Sequence, residues 1–187
     1  MPRITLIVAL LLGPTCFGCA FLQQVVPNLT LSDRTLMGVL DSIGEAEIDA
    51  ARLAQEKGSA TEVKAFAGRV LNEHRAWDDA NRRLAAQLAV EPKRPSLAIQ
   101  LQHAHEQAMR ELRALSGPAF DRAYVAYEIQ QHVRAFNFVE AAAESESNAH
   151  LKQELTRTGP DLLSHISAAR ALERHLESDG QETVTAR

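Results

Sequence analysis

The sequence predicts an all-α protein, a bundle of four long helices with a further helical segment between the second and the third. Three observations carry this expectation. Apolar residues recur at three- and four-residue spacing over long stretches. Ala, Leu, Glu, Gln and Arg are plentiful while aromatics are only 5%, a balance that favours helix. No run alternates apolar and polar residues as a half-buried strand would. The 187 residues suffice for one domain with a real core, and 45% hydrophobic with 24% charged residues is the balance of a folded chain. A formal charge of −4 with mixed signs argues against a nucleic-acid partner.

The first helix is expected from about Ser32 to Lys57, with Leu36, Leu40, Ile43, Ala51 and Ala54 on one stripe. Gly58 ends it in the manner of a glycine just past a C-cap. Ser59-Ala60-Thr61-Glu62 reads as a capping box that starts the second helix at once. Its stripe is Val63, Phe66, Val70, Trp77, Leu84 and Leu88, and Pro92 and Pro95 break it. A connecting helix follows from about Ser96 to Leu115. Ser116-Gly117-Pro118 then opens a long helix to about Glu144, with proline at its favoured first position. That helix is apolar on two faces and is expected to be central. Polar Ser145 to Asn148 makes a turn, and the last helix spans about Ala149 to Leu176. Gly159-Pro160 should kink or briefly break it, because proline removes a hydrogen bond and clashes with the preceding turn. The short links make antiparallel hairpins of the first and last helix pairs. At 1.5 Å per residue the connecting helix spans about 30 Å, nearly the bundle length. The two helices that it joins can then run parallel, which is the ferritin-like arrangement.

The N-terminus supplies an address. Arg3, an apolar run from Ile4 to Leu12 and small Gly13, Gly18 and Ala20 have the layout of a secretory signal over residues 1–20. The apolar run is shorter than the ~20 residues of a membrane span. Two ends for it stay open: plain cleavage after Ala20, or a lipoprotein signal in which Cys19 is lipidated and anchors the chain to an envelope membrane. Either implies an exported protein of the periplasm or outer membrane. Both cysteines, Cys16 and Cys19, fall in this segment, so the mature domain has no disulfide and rests on its core. Residues 21–31 read as a tether, 32–177 as the bundle and 178–187 as a disordered tail.

The helical phase places polar residues where apolar ones are expected. His74 continues the stripe of the second helix. Glu128 and His132 share a face with Val125, Phe136 and Val139, His165 shares one with Leu162, Ala169 and Leu172, and Glu47 lies between Ile43 and Ala51. Counted from the turns, Glu47, His74, His132 and His165 sit within about one helical turn of a common height. A single such histidine is ordinarily a core residue with a hydrogen-bond partner. Three of them with Glu47 are a feasible first shell for a divalent transition metal, with Glu128 and Asp161 as further ligands or their acceptors. The other reading is a hydrogen-bonded network, including Tyr124 or Tyr127, that fixes helix register without metal.

Other signals are weaker. His103 and His105 lie two apart and read as a solvated edge, and His150 and His175 as surface residues near helix ends. Asp121 is expected to serve the positive end of its own helix. There is no phosphate loop, and no nucleophile–base set can be defended.

Four stretches carry a family resemblance: EAEIDAARLAQ (45–55), VKAFAGRVLNEHRAWDDANRRLAAQ (63–87), LSGPAFDRAYVAYEIQQHVRAFNFVEAAAE (115–144) and GPDLLSHISAARAL (159–172). The most specific pieces are Glu73-His74, the run from Gly117 to Tyr124 followed by His132, and Pro160 to His165. Over residues 33–176 the chain resembles the exported bacterial family called domain of unknown function 4142. The resemblance implies an envelope location and a ferritin-like bundle, and it supplies no activity. A ferritin-like di-iron site uses Glu-x-x-His on two helices. Here those places read Leu71-x-x-His74 and Leu162-x-x-His165, which speaks against di-iron oxidase chemistry. The sequence thus predicts a non-enzymatic envelope protein with a structural His/Glu layer. The alternative is a mononuclear metal-binding protein using Glu47, His74, His132 and His165.

Overall fold

A computed structural model describes residues 31–185. The leader, Cys19 and nearly all of the tether lie outside the described residues. The described residues form five helices: α1 (Asp33–Lys57), α2 (Thr61–Gln87), α3 (Ser96–Ala114), α4 (Gly117–Ser145) and α5 (Ala149–Thr185). No strand occurs among the described residues. None of these helices is long and apolar enough to cross a membrane. The all-α expectation holds, with helix boundaries close to those that periodicity gave, except that α5 runs on past Leu176.

Helices α1 and α2 pack as one hairpin and α4 and α5 as another, with α1 against α4 and α2 against α5. The direction of α3 follows from its two ends. The Lys93 N–H donates to the Arg34 carbonyl at 2.9 Å, at the start of α1. The Lys57 ammonium, at the end of α1, donates to the Arg113 carbonyl. So α3 runs beside α1 in the same direction, and α2 and α4 both start at the same end of the bundle. They are parallel, joined by the helical crossover.

Three local devices differ from those expected. Gly58 is not left-handed, with φ of −51°. It is glycine for want of space, since a Cβ there would meet the Ala54 carbonyl oxygen at 2.6 Å. The capping box does not form, and no side chain of its own segment caps α2. Instead Asp121 accepts from the Ser59 and Ala60 N–H groups, each at 2.8 Å, and from the Ser59 hydroxyl. Asp121 therefore serves the start of α2 rather than of its own helix. Parallel packing puts the two starts side by side, and one carboxylate satisfies three donors where a serine hydroxyl satisfies one. The third concerns the kink or short break expected in α5: the helix continues through Gly159 and Pro160 as one 37-residue element, so the break does not occur. Gly159 is buried close to α4, where a Cβ would meet Glu140 Oε1 at 2.9 Å and Phe136 at 3.8 Å. Packing on α4 holds the helix across the missing bond.

Gly38 fixes where the crossover sits. A Cβ on it would lie 2.2 Å from the Lys93 carbonyl oxygen, and backbone cannot step aside as a side chain can. Gly38→Ala is therefore expected to lower stability by about 1–3 kcal/mol, read as a lower midpoint of urea unfolding.

The core has two parts. Phe66, Val70, Phe120, Tyr124 and Leu172 belong to one cluster. Leu36, Met37, Val139, Leu151 and Leu155 belong to the other. Between them along every main helix lies a layer of buried polar residues: Glu47, His74, Glu128, His132 and His165.

Candidate metal centre

Each long helix delivers one or two groups to this layer, and each group is there because helical phase puts it on a buried stripe. His74, His132 and His165 are at most 1% exposed, and one ring nitrogen from each lies within 4.8 Å of the others. His74 Nε2 is 3.4 Å from His132 Nε2, which is 3.0 Å from His165 Nδ1. The Trp77 indole packs edge-on to His74, with ring centroids 4.7 Å apart. Beside His74, Trp77 and Asn81 is a cavity of about 40 Å³, room for a water molecule.

The hydrogen-bond network assigns the ring protons. His132 Nδ1 is 2.9 Å from the Glu128 carbonyl, which only accepts, so Nδ1 carries the proton and Nε2 is bare. His165 Nε2 is 2.5 Å from Glu73 Oε2. Partial burial pushes the Glu73 carboxyl up, but the Arg69 guanidinium and the His165 ring outweigh it and hold Glu73 below the usual range. An ionised carboxylate accepts, so His165 donates through Nε2 and its Nδ1 is bare. Two bare lone pairs thus face each other across 3.0 Å, beside His74. They repel unless something positive lies among them. Without a metal ion, one proton on His165 relieves the conflict. Burial opposes that proton, and the Glu73 carboxylate favours it. Burial also holds His132 below the usual imidazole range and His74 well below it. All three rings are therefore disposed to be neutral donors of lone pairs.

Glu47 does not join the three histidines. It lies with Glu128 on the opposite edge of the His132 ring, in a second group of three. Glu128 Oε2 is 3.4 Å and Glu47 Oε2 3.8 Å from His132 Nδ1. Both carboxyls are raised above the usual range by burial, Glu128 well above it. The four-residue set read from the sequence is thus two sets sharing His132. Asp161 is half-buried one turn before His165 and acts on it only through its charge.

Two features were missed in the sequence. Glu73, adjacent to His74, orients His165 of another helix. His105 is buried rather than at a solvated edge: Tyr127 donates to its Nδ1 at 2.7 Å, and its Nε2 donates to Asp49 at 3.1 Å. That pair pins α3 to α1 and α4. Only the two-residue spacing from exposed His103 hinted that these histidines face opposite ways. His150 and His175 are exposed, as expected.

The raised Glu128 carboxyl has a consequence for metal-free protein. Its folded pKa lies above its unfolded value, so above about pH 4.5 the folded state binds a proton that the unfolded state has lost. Stability then falls as pH rises from there to the folded pKa. Glu128→Gln removes this dependence. The stability of the variant relative to the native chain should increase from pH 5 to pH 8, as measured by urea unfolding in the presence of a chelator.

The family described as "Domain of unknown function (DUF4142)" covers residues 22–172. No curated protein and no solved structure matches the chain.

Proposed function

This chain belongs to the DUF4142 family, and we propose that within it the protein is an exported, non-enzymatic binder of one transition-metal ion at His74, His132 and His165. The observation that carries this reading is the convergence of three buried ring nitrogens, one from each histidine. Partners outside the triad, the Glu128 carbonyl and the Glu73 carboxylate, hold His132 and His165 in tautomers that aim bare nitrogens at one point. Tetrahedral ligands at about 2.0–2.1 Å from a metal stand about 3.3 Å apart; two of the three separations, 3.0 and 3.4 Å, bracket that value, and the third is within 4.8 Å. Carboxylate and carbonyl acceptors on the far nitrogen are the ordinary support of a metal-bound imidazole. Three neutral imidazoles suit Zn, Cu, Fe(II) or Ni. Parallel α2 and α4 with a helical crossover support a ferritin-like arrangement. Leucines at 71 and 162, in place of bridging carboxylates, disfavour di-iron oxidase chemistry.

The test is a titration of chelator-stripped protein with Zn(II), Cu(II), Mn(II) and Fe(II). At least one should bind to the native chain and bind much more weakly to His74→Ala/His165→Ala. Equal binding by both proteins sinks the proposal, and no binding by either leaves a register-fixing network. The address is read from the mature N-terminus by mass spectrometry. A lipidated Cys19 gives a membrane anchor, and an unmodified Phe21 start gives a free periplasmic protein.

A further inference from the structure

The second group, on the far edge of His132, plays no part in holding that ion. Its residues are completely enclosed: Glu47 is 2% exposed, and Glu128, Tyr124 and His132 are at 0%. One donor atom each from Glu47, Glu128 and His132 lies within 4.8 Å of the others. Among the described residues, Glu47 Oε2, both carboxyl oxygens of Glu128 and the Tyr124 hydroxyl have no hydrogen-bond partner outside this group. Among the described residues, the groups acting on the two carboxyls are each other, Tyr124 and His132, with no guanidinium or ammonium among them. Two enclosed carboxyls with orphaned oxygens are costly in any protonation state. Both ionised, they lack a counter-charge; with one proton shared between Glu128 and Glu47, the pair still carries one enclosed negative charge.

We propose that Glu47 and Glu128, with the Tyr124 hydroxyl beside them, form a second cation site that takes a divalent ion preferring oxygen ligands, such as Mn(II) or Fe(II), and that His132 is shared between the two sites. Carboxylates suit harder ions than imidazoles do, so the two sites differ in preference. The shared ring sets the order of filling. The His132 Nδ1 proton is donated to the Glu128 carbonyl and must leave before Nδ1 can bind an ion. The carboxylates are therefore the contacts that hold the second ion while that proton stays in place. This inference rests on the three-histidine reading only through His132.

The test counts ions. Full-length protein is stripped with chelator and loaded with Mn(II) or with Zn(II) in turn. Bound metal is measured by elemental mass spectrometry, and Mn(II) also by electron paramagnetic resonance. At saturation the expected result is two ions per chain for the native protein. Glu47→Gln/Glu128→Gln should retain one, and His74→Ala/His165→Ala should also retain one, with its preference moved toward Mn(II). The Gln variant loses two buried carboxyls while keeping their volume, so it should fold; circular dichroism checks this. Two ions still bound by the Gln variant overturn the second site. So does a single native ion that the Gln variant keeps and the alanine variant loses, an outcome that leaves the three-histidine reading intact. A single ion with the opposite pattern supports the carboxylate site and overturns the three-histidine one. No ion at all overturns both.

Discussion

His132→Ala should cost the protein both its metal affinity and part of its fold. The ring touches His74, His165, Glu47 and Glu128 at once, and among the described residues it is the ligand that the two candidate groups share. Loss of a supporting partner alone typically lowers metal affinity by about 10–100-fold, so loss of this ligand should exceed about 100-fold. The substitution also opens a cavity in a layer that is completely buried, which should lower the stability of metal-free protein by about 2–4 kcal/mol. Metal titration and urea unfolding read the two effects separately. His132→Phe distinguishes them further: it fills the space and offers no lone pair, so it should recover part of the stability and none of the affinity. A variant that keeps native affinity would remove His132 from the centre.

Asp121→Ala should be the most damaging change away from the polar layer. The carboxylate is 1% exposed and accepts three hydrogen bonds at the start of α2. Removing it leaves two backbone N–H groups and a hydroxyl without their acceptor, at the end of the helix where unpaired donors already concentrate. Bonds to a charged group contribute about 1.5–3 kcal/mol each, and single substitutions seldom exceed about 4–5 kcal/mol, so a loss of roughly 2–4 kcal/mol is expected. Hydrogen exchange should show the first turn of α2 losing protection most. Asp121→Asn, which keeps one accepting oxygen, should fall between. Metal affinity should change little in either variant while the bundle remains folded, because Asp121 belongs to neither group of candidate ligands.

Much of this molecule is legible in one dimension. The spacing of Leu36, Leu40 and Ile43, or of Val63, Phe66 and Val70, marks a buried stripe whatever the stripe packs against. A histidine on that stripe must therefore go inside, and counting residues from the turns places His74, His132 and His165 at one height. Gly117-Pro118 and the polar link at 145–148 punctuate the chain in ways that local backbone chemistry alone imposes. What periodicity fixes is the face of a helix, not its rotation to within one residue or its distance from a neighbour. The sequence could thus gather Glu47 with the histidines but could not divide the layer at the His132 ring. Nor could it give His165 to Glu73, which lies 92 positions away and half on the surface. Ser59 looked like a local cap because a capping box is a sequence pattern. Only the side-by-side starts of α2 and α4 bring in Asp121, a stronger acceptor. Pro160 looked like a break because its own turn loses a bond, and only packing on α4 carries the helix through. Helices and their buried faces follow from interactions within a few residues. Which atoms meet at the centre follows from how four rigid rods settle against each other, and the sequence does not express that locally.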